Sequence, residues 1–297
     1  GCRERRMSLE SALALIESVK DYRVLFVGDP IIDEYHYVTA LGKSPKEHLI
    51  PVRYQDQEIF DGGVMAAANH ARSFCRSVDV LRSLSAVRKV RMVEQAEMRK
   101  LFEIHYDDHE CAIPNGCLEE GHDAVVVTDF GHNRVTDKLI EQLCKLPFVA
   151  VSAQTNSSNI GYNLITKYPR ADYIVIDEPE ARLAAADRDG DIRNVMEKLS
   201  FGRCNKFIVT HGYHGAYGYQ DGHFIWSPAF KHETLDTMGA GDAFFAVTAP
   251  MAKTGDILDL LLIGNAAGAL KCRIVGHREA VTKDAVIAFL KENHYLI

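Results

Sequence analysis

The sequence predicts an α/β fold: a mostly parallel central sheet covered by helices, with a small β-sheet standing off it as a lid. Three observations carry this. Short apolar runs with little polar alternation, such as "YRVLFVGD", "HDAVVVTDFG" and "ADYIVIDEPE", read as strands buried on both faces. Helical patterns stand near them, among them "VTDKLIEQLCKL", "EARLAA" and "IRNVMEKL". Two segments instead alternate apolar with polar residues and have no helix between their halves, "EYHYVTALG…LIPVRYQDQEIF" and "RKVRMVEQAEMRKLFEIHY". They read as hairpins or a small antiparallel sheet, spanning about 34–60 and 87–106.

Along the chain, residues 1–22 form an N-terminal helix or junction segment, and 23–297 form the main domain. The start "GCRERRMSLE" has charge but no apolar core ending in a small-residue cleavage site, so it does not read as a signal peptide. From Ser8 to Val19 the apolar positions Ala12, Leu13, Leu15, Ile16 and Val19 recur at helical spacing. "YRVLFVGD" follows as a strand ending in a Gly-Asp turn, "GGVMAAANHARSF" as a helix opened by a glycine pair, and "SVDVLRSL" as the next strand. A parallel neighbour then requires a crossover of about a dozen residues, yet "SAVRKVRMVE" begins at once. Either an α/β unit near residue 85 is absent or the strand assignment fails. "PFVAVSAQ" and "NKFIVTHGYHGAYGYQ" continue the strand series.

The 297 residues, 47% of them hydrophobic, suffice for one large α/β domain or two small ones. The formal net charge of −7 disfavours nucleic acid or an anionic membrane as the main partner, since either calls for a basic field. Apolar runs are broken within about 15 residues, short of the roughly 20 needed to span a bilayer. The seven cysteines are scattered, odd in number and without a C-x-x-C, which fits a reducing cytoplasm better than a disulfide framework or a zinc ribbon.

The most informative stretch is "DTMGAGDAFFAV", residues 236–247. Gly239 and Gly241 flank Ala240, so nothing larger than a methyl covers the backbone N–H groups at the start of the helix "DAFFAV". Unpaired N–H groups and the positive end of the helix dipole make an anion hole. Asp242 beside it is the candidate general base, taking a proton from an attacking hydroxyl while the hole holds developing negative charge. The alternative is an ordinary helix cap.

"DTMGAGDAF" closely resembles the C-terminal signature of the ribokinase-like (PfkB) carbohydrate kinases. The resemblance extends in the family's order over "GDPIIDEY", Gly62 and Gly63, "VTHGYHG" and "GNAAGAL". It implies a ribokinase-like kinase domain with Asp242 as base and Gly239, Ala240 and Gly241 as anion hole. Thr210, Gly212 and Gly215 match a nucleotide-binding turn, Asp236 and Thr237 the phosphate turn, and Asn265 a helix lining the base pocket. Asp177 and Glu180 in "DEPE" stand where the family shows N-x-x-E, linked through water to magnesium; both also suit a helix cap and first turn. The implied cofactors are ATP and Mg2+, and a monovalent cation such as K+ near Asp236 is left open.

For the acceptor, the resemblance implies that Asp33 receives sugar hydroxyls above Gly62 and Gly63. The Asn that often follows that pair is replaced by alanines, with Asn69 further on. "GDPIIDEYHYVTALGKSPKEHLIPV" looks most like the heptose-phosphate kinases of lipopolysaccharide precursor synthesis, through Ser44, Pro45, Pro51 and Val52. Lys43, Arg91 and the neighbouring Lys46, Arg53, Arg88 and Lys89 are candidates for the far phosphate of a sugar phosphate. Gln154, Asn156 and Asn163 lie in a polar loop facing the carboxyl-end crevice. His211 and His214 lack a third ligand for zinc. Implied partners are a small-molecule sugar or sugar phosphate and ATP, a second copy docked through the lid, and a fused or associated nucleotidyltransferase. Two other readings remain: a nucleoside or unphosphorylated-sugar kinase of the same fold, or a non-catalytic nucleotide-binding regulatory domain of a longer protein.

Overall fold

The computed structural model describes residues 8–107, 111–116, 118, 121–231 and 233–293. Residues 1–7 of the expected junction segment, and with them Cys2, lie outside the described residues, as does Cys117. In chain order the elements are α1 (Leu9–Ser18), β1 (Arg23–Gly28), β2 (Pro30–Ala40), β3 (Val52–Gly63), α2 (Val64–Ala71), β4 (Ser77–Arg82), β5 (Val87–Glu94), β6 (Arg99–Tyr106) and β7 (Ala124–Asp129). There follow α3 (Asp137–Leu143), β8 (Val149–Ala153), β9 (Tyr173–Asp177), α4 (Glu178–Ala185), α5 (Ile192–Ser200), β10 (Lys206–Thr210), β11 (Ala216–Gln220), β12 (His223–Ser227), α6 (Ala240–Met251), α7 (Ile257–Lys271) and α8 (Lys283–Glu292).

The main sheet runs β12-β11-β10-β9-β8-β7-β1-β4, parallel from β4 to β10 and closed by the antiparallel β11 and β12. Strand alternation sorts its apolar residues between two cores. Val24, Phe26, Val126, Ala150 and Val175 face the layer of α1, α2, α6, α7 and α8. Leu25, Val27, Val125, Val151 and Ile176 face α3, α4 and α5. Both faces are dry, which is why these strands read as continuous apolar runs.

The second sheet has the order β3-β2-β5-β6. Its two hairpins are antiparallel as expected, but they join through a parallel pair, β2 with β5. The reason lies in the main sheet. β1 and β4 are parallel neighbours; β2 leaves β1 after the single residue Asp29, and β5 leaves β4 after residues 83–86. Two strands leaving adjacent parallel strands in the same direction pair parallel. The expected Gly-Asp turn is therefore a joint between sheets, and the abrupt start of β5 needs no crossover, because its partner is β2 rather than a main-sheet strand.

Candidate active site

α6 begins at Gly239, whose φ of +76° suits a residue without Cβ, and no side chain caps its first turn. The Asp242 carboxylate is not a cap: Oδ1 accepts from the Gln154 Nε2 amide at the end of β8. A Cβ on Gly241 would meet nothing within 4 Å, so the space before the hole is open. That space is a cavity of about 220 Å³ at the carboxyl ends of β8, β9 and β10, bounded by Gln154, Asp177, Glu180, Thr210, Thr237 and the turn Gly239 to Asp242. Burial pushes the Asp242 carboxyl up, with the Gln154 hydrogen bond acting against it. A carboxylate so raised accepts a proton more readily.

Asp177 and Glu180 reach the same cavity through a reciprocal cap on α4. Glu180 N donates to Asp177 Oδ1 at 2.8 Å and Asp177 N to Glu180 Oε2 at 2.9 Å. The remaining Glu180 oxygen accepts from Thr155 N at 2.8 Å. Burial, then the neighbouring Asp177, lifts Glu180 to about 8. Among the described residues no group of three His, Cys, Asp or Glu side chains could cage a metal. The pair therefore fits an ion that brings its own waters and phosphate oxygens, the habit of magnesium, and does not fit a protein-caged metal.

At the end of β10, Thr210 borders the same cavity. Gly212 (φ +51°) is exposed with open space at its Cβ position, whereas Gly215 (φ +97°) is pressed against the backbone of residues 227–229, where a Cβ would lie 2.7 Å from Ala229 N. Asn265 is buried in α7 and its Nδ2 donates to Ser227 Oγ at 3.0 Å and Pro228 O at 3.2 Å, so its amide group secures the exit of β12. Asp236 is buried below the turn. Oδ1 accepts from Lys100 Nζ at 2.8 Å and Met238 N at 3.1 Å, and Oδ2 from Tyr35 OH at 2.8 Å and Gly276 N at 3.0 Å. Burial alone would raise this carboxyl; the Lys100 hydrogen bond and those backbone N–H groups bring it down to about 2.

In the small sheet, Asp33 of β2 is buried, with Oδ1 bonded to Arg91 Nη1 and His277 Nε2 3.5 Å from Oδ2. Burial opposes ionisation here, but His277 and Arg91 hold the carboxyl below the usual range. Gly62 lies under Asp33, and Gly63 (φ +58°) opens α2. Asn69 is exposed near the far end of α2 and accepts from Arg72 Nε at 3.0 Å, so it is not brought to this cluster. Lys43 is likewise apart, in a separate depression formed by residues 43–48 of the β2–β3 connection. Asn156 and Asn163 brace the polar loop against the backbone of Phe130 and Asp129.

Several groups had no sequence signal beyond residue type. His277 follows α7 without any motif. Lys89 shares the inward face of β5 with Val87, Arg91 and Val93, a period-two placement across from Asp33 and His105. It is buried, and no hydrogen bond to its ammonium is found among the described residues. Burial lowers its pKa, with Asp33 opposing. Nearby, His132 Nδ1 bonds Asp107 Oδ2 at 2.9 Å while Nε2 is buried without a partner among the described residues. Burial and the positive Lys89 press His132 down to about 4. His105, His132 and Lys167 border a second cavity of about 1010 Å³ beside the lid.

The pfkB family carbohydrate kinase model matches residues 139–284, a stretch that contains the anion-hole turn, Asp242 and both acidic residues of α4. An ATP-dependent ribose-1-phosphate kinase of Halopiger xanaduensis is 42% identical over 85 residues, 28% of this chain and 29% of that relative. The matched region thus spans under a third of that relative's length. Among solved structures, the Methanocaldococcus jannaschii nucleoside kinase superposes with a TM-score of 0.71 at 16% identity, over 92% of this chain and 99% of that one. Escherichia coli phosphofructokinase-2 in complex with potassium gives 0.67 at 14% identity, over 93% and 99%. The carbohydrate kinases of this family are phosphotransferases with alcohol acceptors. No described helix is long and apolar enough to cross a membrane. Residues 139–284 match the model of the pfkB family of carbohydrate kinases, and the chain that carries them has the ribokinase-like fold.

Proposed function

We propose that this protein transfers the γ-phosphoryl group of ATP to a hydroxyl of a sugar phosphate, a heptose phosphate being the acceptor class that the β2–β3 segment favours. The observation that supports phosphoryl transfer most directly is the half-buried Asp242 carboxylate beside an uncapped helix start, with open space in front of Gly241. Asp242 Oδ takes the proton as the acceptor oxygen forms its bond to the γ-phosphorus and the bond to the ADP oxygen breaks. The N–H groups of Gly239, Ala240 and Gly241 receive the transferred group's charge. Asp177 and Glu180 would hold magnesium through water, and the ion would neutralise charge on the phosphates. Thr210, Gly212, Gly215, Thr237 and Asn265 border the nucleotide.

An anionic acceptor is supported by His132 Nε2, buried without a partner among the described residues and beside a cavity of about 1010 Å³, and by the mostly buried Lys89, for whose ammonium no hydrogen bond is found among the described residues. Such groups are costly to bury unless a ligand satisfies them. Arg91 and Asp33 then orient the sugar above Gly62 and Gly63. The outer lid face exposes Tyr54, Ile59, Phe102 and Tyr106, a patch suited to the lid of a second copy. A cytoplasmic setting and a nucleotidyltransferase fused to or acting beside this chain complete the reading.

Asp242→Asn keeps the volume and the hydrogen bond to Gln154 but not the basicity. ADP release should fall by about 10²–10⁴-fold, with ATP affinity by calorimetry within a few-fold of wild type. Near-normal turnover in the variant would sink the role of Asp242. ATP binding by wild type without ADP release, across sugars, sugar phosphates and nucleosides, would overturn the kinase reading in favour of a regulatory domain.

A further inference from the structure

The last residue of α7, Lys271, is completely buried, and among the described residues its ammonium meets no carboxylate within hydrogen-bond reach. Its three acceptors are main-chain carbonyls: Gly276 O at 2.7 Å, Met238 O at 2.8 Å and Ile274 O at 3.4 Å. An –NH3+ group has three donors and no acceptor, so three carbonyls match the charged form, whereas a neutral amine would set its lone pair against one of them. A buried charge surrounded by carbonyl oxygens is the environment in which proteins hold a potassium ion.

The position is next to the anion hole. Lys271 takes the C=O groups of Met238 and Gly276 while Asp236 takes the N–H groups of the same two residues. The turn is clamped from both sides. Because a trans peptide sets C=O and N–H in opposite directions, fixing the Met238 oxygen also fixes the direction of the Gly239 N–H, the first donor of the hole. Lys271 Cε stands 3.3 Å from the position of a Gly239 Cβ, so the cation lies directly behind that residue.

We propose that the Lys271 ammonium is the built-in cation of the anion-hole turn, occupying the carbonyl cage in which a monovalent cation would bind, so that this protein needs no K+. The residues present do not fit the optional K+ raised by the family resemblance, because the oxygens that would receive it are already taken. Lys271 is a positioning residue: it acts on the transferred group through the Gly239 peptide and the field of its charge. The inference rests on the assignment of Gly239 to Gly241 as the phosphoryl site.

The test compares wild type and Lys271→Ala in buffers whose only monovalent cation is K+, ammonium, methylammonium or choline. In wild type, turnover and melting temperature should be the same in K+ as in choline, within about two-fold and within about a degree. Lys271→Ala opens the cage; its kcat should fall by ten-fold or more with a smaller change in acceptor KM, and K+, ammonium or methylammonium should restore part of it where choline does not. The same cations should raise the variant's melting temperature and not that of wild type, a readout independent of turnover. A ten-fold activation of wild type by K+, or a Lys271→Ala protein that folds and shows no cation response in either readout, overturns the proposal. If Lys271→Ala does not fold, the K+ response of wild type alone decides. Absence of turnover in wild type under every condition would strike at the kinase reading, while the melting data would still judge the cage.

Discussion

Gly62 is small because Asp33 occupies the space a side chain would need: a Cβ there would overlap Asp33 Oδ2 outright. Asp33 cannot yield easily, since Arg91 and His277 hold its carboxylate from the other sides. Gly62→Ala should therefore cost about 1–3 kcal/mol of stability, the range for overpacking a filled site. It should also raise the acceptor KM several-fold and leave ATP affinity unchanged. A variant with wild-type acceptor KM would show that Asp33 does not meet the acceptor. The glycine was legible in the sequence, but its reason was not. Local spacing marks "GG" as a helix opening, whereas the demand for space comes from β2, paired with β3 across the sheet. His277 and Lys271 were invisible for the same reason, and Lys89 did not stand out from the other basic residues of its segment: each acquires meaning only from what the fold sets against it. Asp242 was legible because its partners, the glycines, adjoin it in sequence.

At the scale of elements, the small sheet and the turn before α6 share one carboxylate. Asp236 precedes α6 and receives hydrogen bonds from Tyr35 of β2 and Lys100 of β6 as well as from Met238 N and Gly276 N. The seating of the small sheet on the body is thus tied to the geometry of the turn. The folded-state carboxyl lies near 2, below its ordinary 3.8, so its contribution is complete above about pH 4 and is lost as pH falls through 2. Asp236→Asn should melt lower than wild type near pH 7, and the gap should close toward pH 2. Hydrogen exchange in β6 should speed up in the variant. Unchanged exchange there would mean that Lys100 and Tyr35 do not hold the lid through this residue. The hairpins of the lid were legible from alternation, while the parallel junction of β2 with β5 was not, because direction of departure from β1 and β4 is a property of the assembled sheet.

For the whole molecule, the joint between the two sheets is the decisive place, and a single residue carries one of its two crossings. Asp29 lies between β1 and β2, fully buried; Oδ2 accepts from Phe130 N at 2.7 Å while Oδ1 finds no partner among the described residues. Asp129, at the end of the adjacent β7, is engaged by Lys167 and Tyr168, both at 2.5 Å. Burial first, and then the charge of Asp129, push Asp29 up to about 7. The native state therefore holds a proton on Asp29 between its unfolded value of 3.8 and about 7, where the unfolded chain has released it. By linkage, stability from this group is complete below about pH 4 and is lost as pH rises through 7. Asp29→Asn mimics the protonated form at every pH. Its melting temperature should match wild type below about pH 4, exceed it progressively up to about pH 7, and keep that margin above. A margin independent of pH would show that Asp29 is ionised throughout. Because Asp29 joins β1 to the lid strand β2, wild type should also exchange β2 amides faster at pH 8 than at pH 5 after correction for intrinsic rates, and Asp29→Asn should abolish that difference.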